Sequence, residues 1–80
     1  MSAMAHRRVT VATPSGTWVL SEYLTADEAG RRAAAKRARD EAARRGVEIT
    51  VRRVDSDGAG GWDVIAYDEQ LAVDAALCRS

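Results

Sequence analysis

The chain has no phenylalanine, and only one cysteine, one proline and one histidine among its 80 residues. Each shortage closes off a class of explanation. A single cysteine, Cys78, can form neither an intramolecular disulfide nor a cysteine-based zinc site, and this usage fits a reducing, cytoplasmic setting. The single histidine, His6, precedes the first strand pattern and has no nucleophile to serve. Ser21 falls inside a strand pattern, and the one cationic neighbour of Cys78 is Arg79. No eighteen apolar residues run together, and the basic pair Arg7-Arg8 is not followed by an apolar block. Neither a membrane span nor a signal peptide is expected. No catalytic residue, cofactor or metal site is assigned.

Aromatic residues are scarce as well, at two tryptophans and two tyrosines. Hydrophobic residues make up 46% of the chain, but sixteen of them are alanine. Eight valines, two isoleucines and four leucines must therefore carry most of the core. A domain this small buries a low fraction of its surface, and a thin core favours association. A homodimer, or a partner protein, is expected.

The patterning predicts one small α+β domain over residues 1–80, with residues 1–7 a flexible arm. Arg8 to Thr13 alternates with period two, Pro14-Ser15-Gly16 turns the chain, and Thr17 to Tyr23 reads as the return strand of a hairpin. Thr25 followed by Glu28 has the spacing of a capping box, and a run rich in alanine then predicts a helix over 26–45, closed by Gly46. Gly30 is unfavourable there by about 1 kcal/mol relative to alanine, and a close backbone approach to the sheet would compensate. Val47 to Val54 and Trp62 to Tyr67 form a second strand pair around the turn-rich 55–61 stretch. Asp68 can open a short helix through Leu77. The expected fold is a two-layer ββαββ arrangement: a four-stranded antiparallel sheet with one long helix on one face.

The strand pairs resemble each other. Val9-Thr10-Val11 matches Ile49-Thr50-Val51, and Trp18 and Tyr23 match Trp62 and Tyr67; short apolar strands resemble each other readily, so coincidence is favoured over a duplication. Alternation places Trp18, Leu20, Trp62 and Val64 on one sheet face and Val19, Ile65 and Tyr67 on the other. Neither face is cleanly polar, so the uncovered one is expected to meet a partner.

Charge is balanced overall but uneven along the chain. Residues 1–54 hold eleven basic and six acidic side chains, and residues 55–80 hold one basic and six acidic. The helix invites a nucleic-acid reading, with Arg31, Arg32, Lys36, Arg37, Arg39, Arg44 and Arg45. Acids spaced by four answer most of these: Asp27/Arg31, Glu28/Arg32, Lys36/Asp40, Arg37/Glu41, Asp40/Arg44 and Glu41/Arg45. Asp55-Ser56-Asp57-Gly58 begins like a calcium loop, but the twelfth position, where a bidentate glutamate is required, is Ala66. A hairpin turn is the expected reading.

Trp18-Val19, then Thr25-Ala26-Asp27-Glu28-Ala29 opening a helix, with a strand after it, resembles small bacterial and phage domains of a strand-strand-helix-strand core, over about residues 8–54. In size, charge and lack of an active site the chain also looks like phage-encoded inhibitors such as anti-CRISPR proteins. That resemblance implies a cytoplasmic protein that blocks a host protein surface. From the residues themselves, the expectation is a non-enzymatic protein-binding module. Trp18, Trp62 and Tyr67 are its aromatic anchors, and Asp55, Asp57, Asp63, Asp68 and Glu69 steer it toward a basic partner, in the manner of nucleic-acid phosphate. The alternative is a small nucleic-acid-binding regulator that uses Arg52, Arg53 and the basic helix.

Overall fold

A computed structural model of the protein describes residues 3–68. Within them the chain runs β1 (Ala5–Thr13), β2 (Gly16–Leu24), α1 (Glu28–Arg44), β3 (Ile49–Ser56) and β4 (Trp62–Asp68). The helix expected after Asp68 lies outside the described residues.

One helix on a four-stranded sheet is the expected α+β architecture, but the sheet is mixed, not purely antiparallel. Its strand order is β2-β1-β4-β3, with β1 and β4 parallel at the centre, Val9 beside Trp62 and Ala12 beside Ile65. The reason lies in where the apolar side chains fall. A single helix returns the chain to the end of the sheet where β2 began, so β3 runs with β2, and β4 with β1. Joining β1 to β3 would have kept the sheet antiparallel but placed the Arg52-Arg53 pair in the middle. The central strands are instead those that fill the core, through Val9, Val11, Trp62, Val64 and Ala66, none more than 7% exposed. Charged β3 is left as an edge, where charge is tolerated.

The first hairpin is longer than its sequence pattern suggests. Its register runs unbroken from Thr13↔Gly16 to Ala5↔Leu24, so residues 5–7, expected in an arm, are strand. Arg7 explains the extension. Its guanidinium donates to the carbonyls of Leu24 at 2.9 Å, Gly60 at 2.7 Å and Ala3 at 3.0 Å, tying β1 to the end of β2 and to the β3–β4 loop.

The helix begins at Glu28, with Asp27 rather than Thr25 as its N-cap. The Asp27 carboxylate accepts from the Gly30 amide at 3.2 Å and from the Thr25 hydroxyl. These bonds, the Thr25 hydroxyl's first, hold the Asp27 carboxyl below its usual pKa. A carboxylate at this position also suits the positive end of the helix dipole. Gly30 is compelled by the crossover into the helix and not by the sheet, because a Cβ there would stand 1.8 Å from the Thr25 carbonyl oxygen. At the other end Gly46, with φ +74°, closes the helix. The Val47 amide reaches the Ala42 carbonyl at 2.9 Å and the Gly46 amide the Ala43 carbonyl at 3.1 Å, which together make a Schellman motif. Between these ends, Ala34 and Ala38 are fully buried against the sheet, and Ala35 nearly so. Such small side chains let the helix lie close to it.

β3 contains a bulge. Val51 pairs with Ala66 and Arg53 with Ile65, leaving Arg52 as an extra residue. Val51 and Val54 thereby both face the helix, which strict alternation from Val51 would not allow.

The sequence repeat is not a repeat in space. With the order β2-β1-β4-β3, the two hairpins turn in opposite senses. Superposing them would lay the helix-facing side of one on the open side of the other, yet Val9, Val11 and Trp18 face the helix, as do Ile49, Val51 and Trp62. The likeness is one of hydrophobic pattern.

Candidate interaction face

The side of the sheet away from α1 is built from the alternate residues of each strand. β1 contributes His6, Arg8, Thr10 and Ala12, and β2 contributes Thr17, Val19, Ser21 and Tyr23. β4 contributes Asp63, Ile65 and Tyr67, and β3 contributes Thr50, Arg52, Arg53 and Asp55. Val19 is 66% exposed, Tyr23 51% and Tyr67 39%. The division expected for Trp18, Leu20, Trp62 and Val64 against Val19, Ile65 and Tyr67 is the one observed.

Two ring contacts mark opposite ends of this face. The His6 ring stacks on Tyr23 at 5.1 Å between centroids, and the Arg52 guanidinium lies 4.3 Å over the Tyr67 ring. Between them, on the β3–β4 half, Asp55 stands directly opposite Asp63, and Arg53 opposite Ile65. Asp55 is also bonded to Arg53 at 2.7 Å. Like charges facing each other across a ladder are unfavourable, and the Arg53 guanidinium answers the Asp55 side of this opposition.

The expected site residues are only partly brought together. Tyr67, Asp55 and Asp63 share the open face. Trp62 does not, because it is 7% exposed under α1 with its indole N–H directed at the Thr25 carbonyl at 3.4 Å. It is a core residue and offers no partner an anchor. Trp18 also faces the helix, with the Arg45 guanidinium 4.6 Å over its ring. Asp57 is occupied by its own loop. Its carboxylate accepts from the amides of Ala59 at 2.7 Å and Gly61 at 2.8 Å, and these bonds lower its pKa. The loop is a turn closed by that aspartate, and no calcium geometry develops around it. Asp68 ends β4, and Glu69 lies outside the described residues.

The basic helix is largely satisfied from within. Glu41, 8% exposed, accepts from Arg37 at 3.0 Å, Arg45 at 2.9 Å and Arg44 at 3.3 Å, while Arg37 also meets Glu22 at 3.0 Å. The Arg37 and Arg45 bonds depress the Glu41 pKa. Lys36 pairs with Asp40 at 2.8 Å, and Glu28 with Arg31 at 3.3 Å and Arg32 at 3.7 Å. Of the six spacings that suggested pairs, Asp27/Arg31 gives way to helix capping. Arg44 turns to Glu41 and not to Asp40.

Of the two ring contacts, one was readable in principle. Thr13↔Gly16 sets a register that, extended seven residues, puts His6 opposite Tyr23. The Arg52–Tyr67 contact depends on the bulge, for which the sequence carries no signal. Among the described residues, no three His, Cys, Asp or Glu side chains gather as metal ligands, and no helix is long and apolar enough to cross a membrane. Comparison with protein-family models, curated proteins and solved structures finds no match.

Proposed function

We propose that the chain is a non-enzymatic protein-binding module that takes a basic segment of another protein on the β3–β4 half of its open sheet face. The observation that carries this reading is the Asp55–Asp63 pair, two carboxylates held opposite each other beside the apolar Ile65 and the exposed ring of Tyr67. A lysine or arginine from the partner relieves their repulsion, and the neighbouring apolar surface supplies contact area. A partner surface that ordinarily receives nucleic-acid phosphate has the matching charge. The chain then acts as an inhibitor by occupying that surface, in the style of phage-encoded anti-CRISPR proteins and in the cytoplasm of the host.

The test is affinity capture from host extract with the native chain and the Asp55→Asn/Asp63→Asn variant side by side, followed by titration of the captured protein. Loss of at least tenfold in affinity for the variant is expected. Equal binding by both, or capture of no protein by the native chain, overturns the reading.

Direct nucleic-acid binding is favoured by a different observation: the rings of His6 and Tyr23, stacked on each other, share a face with the ring of Tyr67, which lies beneath Arg52. Bases stack on such rings, and Arg8, Arg52 and Arg53 would meet phosphates. This alternative requires single-strand affinity that falls steeply with salt and weakens in Arg52→Ala/Arg53→Ala. A gel shift at low salt decides it.

A further inference from the structure

The two edges of the sheet are unlike. β3 is protected as edge strands commonly are, by a bulge at Arg52 and by the charges of Arg52, Arg53 and Asp55. β2 has no such protection. It is nine residues long, its register with β1 is unbroken, and between Thr17 and Tyr23 its one charge is Glu22.

The hairpin determines which backbone groups this edge offers. Thr13↔Gly16 closes the two-residue turn, so Trp18, Leu20 and Glu22 exchange bonds with β1. The N–H and C=O groups of Thr17, Val19, Ser21 and Tyr23 are directed away from it. The Tyr23 amide bears this out, because it finds the Glu22 carboxylate at 3.2 Å rather than a strand. Beside this row, Trp18 and Leu20 are only partly covered by the helix, and Val19 stands 66% exposed on the other face.

We infer that β2 pairs antiparallel with β2 of a second copy of this chain, about a two-fold axis at Leu20. That register alone employs all four outward residues, setting Val19 against Ser21 of the second copy and Thr17 against Tyr23. A shift of the axis to Val19 or Ser21 drops one of them. On the helix side Leu20 meets its own counterpart. Glu22 falls opposite Trp18 of the second copy, whose ring holds the Arg45 guanidinium, so the one acid of this edge meets a cation. The Tyr23 amide passes from the Glu22 carboxylate to a carbonyl of the second strand. An axis normal to the sheet makes one eight-stranded sheet, with both helices on one side and a continuous open face on the other. This pairing uses the edge and not the open face, so it and the protein-binding reading fail separately.

The experiment is light scattering on the eluting peak at micromolar to millimolar chain concentration, with hydrogen exchange read at single amides. The native chain is expected at twice the chain mass, with the amides of Thr17, Val19, Ser21 and Tyr23 protected. Ser21→Pro removes an amide that is directed away from β1, and Val19→Lys puts a charge on an already exposed position. Both are expected to halve the mass with an unchanged circular dichroism spectrum. If the proline variant does not fold, the lysine variant and the exchange data still decide. A monomeric native chain, a dimer that survives Val19→Lys, or an edge protected only when an extended peptide is added overturns the inference.

Discussion

Gly30 shows how far one residue's role can depart from its general propensity. Glycine inside a helix is usually worth replacing by alanine, for a gain of about 1 kcal/mol. Here the added Cβ would collide with the Thr25 carbonyl, which also receives the Trp62 indole. Gly30→Ala is therefore expected to destabilise by roughly 1–3 kcal/mol, as an overpacked site does, and a thermal melt checks it. Glu41 behaves in the opposite sense: an acid on the covered side of an arginine-rich helix that organises its neighbours. Its pKa is lowered by Arg37 and Arg45 from a usual value of 4.5. A carboxyl depressed on folding contributes stability that is present above its unfolded pKa and lost as pH falls through its folded one. Melting temperature should hold from neutral pH to about 4.5 and fall below it. Glu41→Gln should melt lower at pH 7 and lose less on acidification, which melts at pH 7 and pH 3 will compare.

At the scale of elements, the helix was readable because alanine, the acid-base spacings and Gly46 agree with one another. Its start was misplaced by two residues, since both Thr25 and Asp27 are competent caps and the crossover over Gly30 selects the second. The first hairpin was underestimated because Ala5, His6 and Arg7 show no apolar alternation. Their strand is held by the carbonyls Arg7 reaches, one of them 53 residues away. The bulge in β3 was not legible at all, because an extra residue in one strand has meaning only against its partner. Deleting Arg52 restores regular alternation while keeping Val51 and Val54 toward the helix. That variant is expected to fold with a loss of about 0.5–1 kcal/mol, the scale of the forfeited contact with Tyr67. Denaturant melts would measure it, and a collapse of the fold would show the bulge to be structural.

At the scale of the whole molecule, the open face is where stability and function are expected to part. Asp63→Asn removes the like-charge opposition with Asp55 and should stabilise the chain by about 0.2–1 kcal/mol. In the proposed function the same change weakens partner binding. Thermal melts and titration on one variant would show the two effects with opposite sign, and a variant that loses both would assign Asp63 to the fold alone. What the sequence determined by itself is local: two hairpins, one alanine-faced helix and the residues that share each strand face, because alternation, capping and turn chemistry act over a few residues. What only the tertiary structure decided is the seam. Once β1 and β4 met in parallel, Val9, Val11, Trp62 and Val64 came together beneath the helix, and charged β3, with Asp55 and Arg53, became the edge opposite β2. That choice was made by which strands could bury the most apolar surface beneath the helix, a comparison of all four strands at once that no single stretch of sequence contains.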